Sequence, residues 1–360
     1  MSTMNATVGQ SDSAHRFAHG LVLGKSYPPH AGHHHLVRTA AARCDRLTVL
    51  VCAASVESIP LTDRVAWMRE IHSEPGISAV GAVDDIPMDL TDPRVWDAHM
   101  AVFLAAVPEP VDAVFTSETY GDELARRFGA QPISVDPQRR RYPISATVIR
   151  RDPMAHWKFL APPVRAALTR RVVVLGAEST GTTTMAEALA EHYGAPRVPE
   201  YGREYSERKL AALGPSAHWS QVEFTSAEFP LIAARQQERE DRAARESGPV
   251  LFCDTDAFAT EIWHERYLGF PHPSLRTPPR QHLWLLTDHT AVPFEDDGLR
   301  DGEHLRPWMT ERFHTELTRT GKRFTVLTGS HHERLRAAVA AVDQLLSEGW
   351  SFADPLPEKH

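Results

Sequence analysis

Twice along this chain a short apolar strand runs into a glycine-containing turn and then into a helix-like stretch: residues 20–23 before Gly24, and residues 171–175 before Gly176. A strand that feeds a turn and a returning helix is the unit of a parallel sheet, and its doubling predicts two nucleotide-binding α/β units. After the first opening come a helix near 33–43, a strand at 47–53 and a further apolar run at 113–116. After the second come VLFCDTD (250–256) and HLWLLTD (282–288), each ending in aspartate at a strand's C-terminal edge, where open α/β sheets bind ligands. The expected fold class is α/β, with two doubly wound parallel-sheet domains.

A length of 360 residues accommodates both. The segment RRDPMAHWKFLAPPVRAALTRR (150–171) is interrupted by Pro153, Pro162 and Pro163, which places a boundary near residue 165. The expected division is a frayed tail over 1–16, a first domain over 17–164, a second over 165–348 and a tail over 349–360. The first 16 residues have neither a basic nor an apolar signal region, so a cytoplasmic location is expected. No apolar run approaches the roughly 18 residues of a membrane span. A net charge of -8 argues against broad capture of nucleic acid, although small anions need only a local basic pocket. Cys44, Cys52 and Cys253 form no CxxC pair and read as buried small hydrophobes. RQQEREDRAARE (235–246), with opposite charges at three- and four-residue spacing, reads as a solvated helix face.

The chemistry concentrates at GKSYPPHAGH, residues 24–33. In adenylyl transfer an acceptor phosphate attacks the α-phosphorus of ATP in line, and negative charge grows on the pyrophosphate and the equatorial oxygens. The protein's task is positioning and neutralisation. His30 and His33, around Gly32, can donate hydrogen bonds to those oxygens beside a helix N-terminus, without a covalent nucleophile. A metal cluster at His33, His34 and His35 is disfavoured, because neighbouring helical side chains diverge by about 100°. HExxH spacing is absent: Leu268 lies four after His264, and Arg336 four after His332. In ISATVIR (144–150), Ser145 can cap a helix while Thr147 and Arg150 offer a hydroxyl and a permanent cation to the leaving pyrophosphate.

Together these two motifs resemble the nucleotidyltransferase superfamily. The closest likeness is to the GK-aromatic-YP-x-H-x-GH form of bifunctional nicotinamide mononucleotide adenylyltransferase and ribosylnicotinamide kinase proteins, with Ser26 in place of the usual aromatic. The resemblance implies an HxGH, Rossmann-like first domain. Its catalytic residues would be Lys25, His30, His33 and Arg150, and its ATP site would hold Gly24, Tyr27, Gly32, Ser145 and Thr147. SETYG (117–121) resembles the family's SE-x-YG element, which puts Ser117, Glu118 and Tyr120 at the substrate, and Trp67 would stack on the nicotinamide ring.

VVVLGAESTGTTT (172–184) fits the P-loop frame GxxxxGK[ST] at Gly176, Gly181 and Thr183, the expected magnesium ligand. Ser179, Thr180, Thr182 and Thr184 complete the phosphate cradle, but Thr182 occupies the lysine position. Loss of that cation removes several kcal/mol of transition-state stabilisation, on the order of 3 kcal/mol for one preorganised group. Arg203, Arg300 or Arg306 would have to replace it.

PEYGREY (199–205) resembles the family's E-Y-x-R-E element, implying Glu200, Tyr201 and Arg203 at the substrate, and DGLR (297–300) resembles a lid. Asp254 or Asp256 would hold magnesium through water or accept the proton of a ribose 5′-hydroxyl. The resemblance covers residues 17–346 and implies a P-loop kinase-like second domain, Mg2+ with ATP as co-substrate, and nicotinamide mononucleotide and ribosylnicotinamide as further substrates. A homo-oligomer is in keeping with it, and no helix-turn-helix unit is expected ahead of the first domain. Two alternatives stay open: another phosphate or phosphonate acceptor, and a second domain that senses ATP or NAD without turnover.

Overall fold

The computed structural model describes residues 16–275, 280–290, 292–295 and 302–359. They form two compact units. Unit 1 comprises the chain up to Ala161 together with the stretch from Ser351 onward, and unit 2 comprises Pro162–Trp350.

Unit 1 runs β1 (Phe17–Gly24), α1 (Ala31–Ala41), β2 (Cys44–Ala53), α2 (Leu61–Ile71), β3 (Ile77–Val83), β4 (Met88–Asp89), α3 (Pro93–Ala106), β5 (Ala113–Thr116), α4 (Gly121–Phe128), β6 (Gln131–Ser134) and α5 (Ala146–Arg151). Its main sheet has the order β3-β2-β1-β5-β6 and every pairing is parallel. Alternate residues of each central strand point to opposite faces. Val22, Val49 and Phe115 pack with Leu36 and Val37 of α1 and Met68 of α2. Leu21, Leu50 and Val114 pack with Met100 and Phe103 of α3 and Leu124 of α4. The strand order reverses direction between β1 and β5, so the loops that follow these two strands flank the crevice of a doubly wound sheet.

Unit 2 runs α6 (Pro162–Leu168), β7 (Arg170–Gly176), α7 (Thr182–Tyr193), β8 (Arg197–Val198), α8 (Tyr201–Ala212), α9 (Glu228–Glu246), β9 (Val250–Asp254), α10 (Ala257–Leu268), β10 (Leu283–Thr287), α11 (Arg306–Arg319), β11 (Phe324–Leu327) and α12 (His331–Ser347). The sheet order is β11-β10-β7-β9-β8, again wholly parallel. Val172, Val174 and Leu285 face α7 and α12, whereas Val173, Leu175 and Leu286 face α9, α10 and α11. The loops after β7, β9 and β10 therefore share one sheet edge.

Two boundaries differ from the sequence expectation. The division falls at Pro162 rather than near residue 165, because Pro162 and Pro163 begin α6 instead of interrupting a helix. Proline at the first helical positions has a suitable fixed φ and no intrahelical N–H to lose. The stretch 349–360 is not a tail either. From Ser351 the chain lies on unit 1: Ala353 accepts from the Tyr27 hydroxyl at 2.9 Å and donates its N–H to Ser58 Oγ at 2.5 Å, and β12 (Glu358–Lys359) pairs in parallel with β4. The three cysteines are unpaired and buried, and none of the described helices is long and apolar enough to cross a membrane.

Candidate active sites

In unit 1 the loop after β1 enters α1 through a reciprocal cap. His30 is the N-cap residue, and its Nδ1 accepts from Gly32 N–H at 3.1 Å, while His33 Nδ1 accepts from His30 N–H at 3.3 Å. Both Nδ1 atoms thus serve as acceptors, which assigns the proton of each neutral ring to Nε2. Burial holds His30 far below the usual histidine range and lowers His33 to about 4, with the Arg139 charge adding to both. The ring centroids lie 3.9 Å apart. Two uncharged imidazoles with their Nε2–H donors fixed at a helix N-terminus suit a developing phosphate charge. His34 and His35 point elsewhere: His34 is buried against His72 at 3.0 Å, and the His35 ring lies near Tyr142.

The second motif closes on the first. Ser145 caps α5 by accepting from Val148 N–H at 3.3 Å. Arg150 donates to the Tyr27 carbonyl at 2.7 Å and to Thr147 Oγ1 at 3.3 Å. Tyr27 was expected at the phosphates, but it is 1% exposed and its hydroxyl is engaged by Ser58 and Ala353. It supports the loop from beneath, with the Arg64 and Arg150 guanidinium groups 4.3 and 4.8 Å from its ring centre. Arg64 is wholly buried, pairs with Glu57 at 2.6 Å and donates to the Ile59 and Lys25 carbonyls. Sequence reasoning missed this pair; an arginine beside the apolar face of α2 was its only signal.

Beyond the loop, two small clefts share Met88 and His99 in their walls. Lys25 lines one and Tyr120 the other. Gly24, just before Lys25, ends β1. Ser117 donates to the Val135 carbonyl at 2.7 Å, and Glu118 pairs with the exposed Arg139 at 2.9 Å. Trp67 is half-buried on α2 and lines neither cavity. Arg139 was also missed; its signal is the run of three arginines just before ISATVIR.

In unit 2 the loop after β7 curls around Ser179 (φ 53) and Gly181 (φ 82), and α7 starts at Thr182. Such alternation of backbone hand turns successive N–H groups into one concavity, an anion nest. A Cβ on Gly176 would collide with Thr287 Oγ1 and lie 2.7 Å from Thr180 Oγ1, so the turn admits only glycine there. Thr183 Oγ1 donates to Asp254 Oδ2 at 2.7 Å, and Thr182 also donates to that carboxylate. Burial raises the Asp254 carboxyl above the usual carboxylate range. Ser179, Thr182, Thr183, Glu200, Arg203 and Asp254 all line one cleft of about 1070 Å³, partly open to solvent. Trp219, Phe224, Phe229, Trp263 and Tyr267 also line it, an aromatic set that sequence reasoning missed although WSQVEF (219–224) and IWHERY (262–267) are aromatic-rich.

The structure places several of the residues expected at the unit 2 site away from the cleft. Asp256 is buried as the N-cap of α10, accepting from Ala259 N–H at 2.8 Å and Trp284 Nε1 at 2.9 Å, and so is part of the scaffold. Tyr201 is buried beneath Arg239 and is not in the cleft wall. Thr180 bonds to Thr287 and the Ala177 carbonyl within the loop, so its hydroxyl does not face a ligand. Thr184 lies exposed on α7, outside the cleft lining. Arg306, a candidate to replace the missing lysine, donates to the carbonyls of Ser179, His289 and Val292. Arg300 and the 297–300 segment lie outside the described residues. A cation that sequence reasoning passed over is Arg197, 3.7 Å from Asp254 Oδ2.

Residues 171–334 match a family model described as an AAA domain. The trifunctional NAD biosynthesis/regulator protein NadR of Escherichia coli (strain K12) is 26% identical over 300 residues, 78% of this chain and 71% of that protein. The NadR protein solved in complex with NR shares the fold, with a TM-score of 0.70 at 23% identity, covering 91% of this chain and 95% of that one. The NadR protein solved in complex with NAD and AMP-PNP likewise gives 0.70 at 23%, covering 93% and 98%. A relationship of that extent is too long to lie within either unit alone. The chain is therefore a NadR homologue, related to those proteins through both of its units.

Proposed function

We propose that unit 1 is a Rossmann-like nucleotidyltransferase that adenylylates nicotinamide mononucleotide, and that unit 2 phosphorylates ribosylnicotinamide to supply it. The observation that carries the reading is the reciprocal cap of His30 and His33, which presents two Nε2–H donors at the start of α1. In the first reaction an oxygen of the mononucleotide phosphate attacks the α-phosphorus of ATP, the α–β P–O bond breaks, and NAD and pyrophosphate result. Charge accumulates on oxygens that His30, His33 and Arg150 neutralise. The activity named for the E. coli relative and the NAD and AMP-PNP held by a NadR structure support this assignment.

For unit 2, the NR held by a NadR structure supports a riboside substrate. The aromatic side chains suit a flat base, Glu200 and Arg203 of the same cleft suit a sugar's hydroxyls, and the nest after β7 suits the nucleotide phosphates. The 5′-oxygen attacks the γ-phosphorus, and ADP leaves. Thr183 and Asp254 are hard oxygen donors side by side and fit a magnesium ion, which when bound would neutralise phosphate charge. Thr182 at the lysine position favours a second reading, in which unit 2 binds ATP or NAD without turnover.

A product assay on the purified chain with Mg-ATP separates these readings. Nicotinamide mononucleotide and ribosylnicotinamide are supplied in separate tubes. NAD with pyrophosphate from the first, and mononucleotide with ADP from the second, are expected. NAD without riboside phosphorylation points to the sensor reading. Absence of NAD overturns the adenylyltransferase assignment and favours another phosphate or phosphonate acceptor.

A further inference from the structure

From Ser351 the chain returns to unit 1 and packs on one residue of the first motif, Tyr27. The Phe352 ring meets the Tyr27 ring edge to face, with centroids 6.1 Å apart and planes at 89°. The Tyr27 hydroxyl donates to the Ala353 carbonyl at 2.9 Å and accepts from Ser58 N–H at 2.9 Å. Ala353 N–H donates to Ser58 Oγ at 2.5 Å, so Phe352, Ala353, Tyr27 and Ser58 form one closed set. Farther along, Leu356 lines the cleft that Lys25 also lines, and Glu358–Lys359 pairs with Met88–Asp89. The stretch is thus tied to unit 1 at both of its ends.

Tyr27 in turn holds Arg150 in two ways. Its carbonyl accepts from the guanidinium at 2.7 Å, and its ring centre lies 4.8 Å from the guanidinium carbon. The Arg64 guanidinium, wholly buried and paired with Glu57, lies 4.3 Å from the same ring centre. A tyrosine gripped at its hydroxyl, its ring and its edge has a fixed carbonyl to offer. That matters because a long arginine side chain has many rotamers, and a cation stabilises a transition state best when it is already aimed. Burial lowers the Arg150 guanidinium from its ordinary value, and the charges of Tyr27, Glu57 and Asp354 oppose that effect. The same stretch therefore brings a carboxylate to bear on the cation as well.

We propose that Phe352 and Ala353 are positioning residues for adenylyl transfer, which hold Tyr27 so that Arg150 meets the departing pyrophosphate. The inference rests on the adenylyltransferase reading of unit 1. It gives a stretch with no nucleotidyltransferase motif a part in the reaction of a loop 326 residues away in sequence.

The test is a double-mutant cycle in the full chain, with kcat for pyrophosphate release measured at saturating Mg-ATP and nicotinamide mononucleotide. Phe352→Ala should lower kcat by about 10-fold or more, since a small misplacement of a preorganised group costs up to about 10²-fold. Tyr27→Phe, which loses the hydroxyl but keeps the ring and the carbonyl, should lower it about fivefold, the worth of one hydrogen bond. In an Arg150→Ala background each of these changes should alter kcat by less than about twofold, because residues that act through one group are not additive. The Tyr27→Phe cycle decides the question if Phe352→Ala fails to fold. A stretch that merely supports folding would lower the active fraction, and with it kcat, by the same factor in both backgrounds. That result, or parental kcat in Phe352→Ala, would overturn the proposal and leave the adenylyltransferase reading standing. A full chain that forms no NAD would remove that reading, and the proposal with it.

Discussion

Replacing Gly32 by alanine should separate the stability of unit 1 from its chemistry. An added Cβ would lie 3.0 Å from His30 Cε1 and 3.1 Å from His30 Nδ1, closer than ordinary van der Waals contact. The ring has little room to retreat: it is 5% exposed, and its other neighbour is the His33 ring at 3.9 Å. A displacement of a few tenths of an ångström therefore stretches the bond from Gly32 N–H and moves both Nε2 donors. The weakened cap costs about 1 kcal/mol. Alanine recovers about 1 kcal/mol of helix propensity relative to glycine. Stability should consequently change by less than about 1 kcal/mol, a shift in Tm of only a few degrees. Catalysis has no such compensation. Removing one preorganised donor costs about 10²- to 10³-fold in kcat, and displacing two should cost about 10²-fold, with the KM for ATP little changed. Pyrophosphate release measured with saturating Mg-ATP and nicotinamide mononucleotide, beside thermal unfolding, gives both quantities. Parental kcat in a folded Gly32→Ala protein would refute the role given to the cap.

Asp254→Asn should abolish ribosylnicotinamide phosphorylation while adenylyl transfer stays within about twofold, since the residues lie in separate units and distant sites act independently; parallel loss of both activities would contradict the two-site reading. Ending the chain at Trp350 removes Leu356 from the cavity wall and the Ala353 contacts from Tyr27 and Ser58, so the KM for nicotinamide mononucleotide should rise severalfold while riboside phosphorylation is unaffected; unchanged adenylyl-transfer kinetics would show that this stretch is dispensable. Stability of unit 1 should fall with acidity, because burial lowers His33 and His72 to about 4 and His34 to about 3 from an unfolded value of 6.5. The unfolded chain binds these protons first, so stability is fully present above about pH 6.5 and is lost as pH falls through 6.5 towards 4. Denaturant midpoints that do not change between pH 7.5 and 5 would contradict this.

The alternating fold was legible because parallel strands buried on both faces read as continuous apolar runs: 113–116 and 250–254 appear in the sequence where β5 and β9 lie. Side-chain direction was not legible. In DTD, the first carboxylate ends β9 and faces the cleft, while the second, two residues on, turns inward to cap α10. Among the hydroxyls of the P-loop, Thr180 goes to the scaffold and Thr183 to Asp254, which composition cannot distinguish. The return of the chain onto unit 1 after Trp350 was hidden for another reason. Two backbone bonds at Ala353, one ring contact and a two-residue strand hold it, and none of these needs a periodic pattern.

Several arginines hold loop carbonyls for a reason that follows from the loops themselves. A loop that turns its N–H groups inward towards an anion turns carbonyl oxygens outward, and buried carbonyls need donors. In unit 2, Arg306 takes the Ser179 carbonyl and Arg334 those of Thr180, Asp288 and Gly329. In unit 1, Arg64 takes those of Ile59 and Lys25, and Arg150 that of Tyr27. Arginine suits this work because its planar fork reaches several acceptors at once and stays charged when buried. An arginine close to a phosphate loop in sequence is thus as apt to hold the loop's outer rim as to touch the phosphate. Position in the fold separates the two: Arg203 lines the cleft and Arg197 stands beside Asp254, whereas Arg306 and Arg334 lie behind the loop. If unit 2 transfers phosphate without its lysine, the replacement charge should come from the first pair. Arg203→Ala or Arg197→Ala should then depress kcat with little effect on Tm, while Arg334→Ala should chiefly lower the Tm of unit 2.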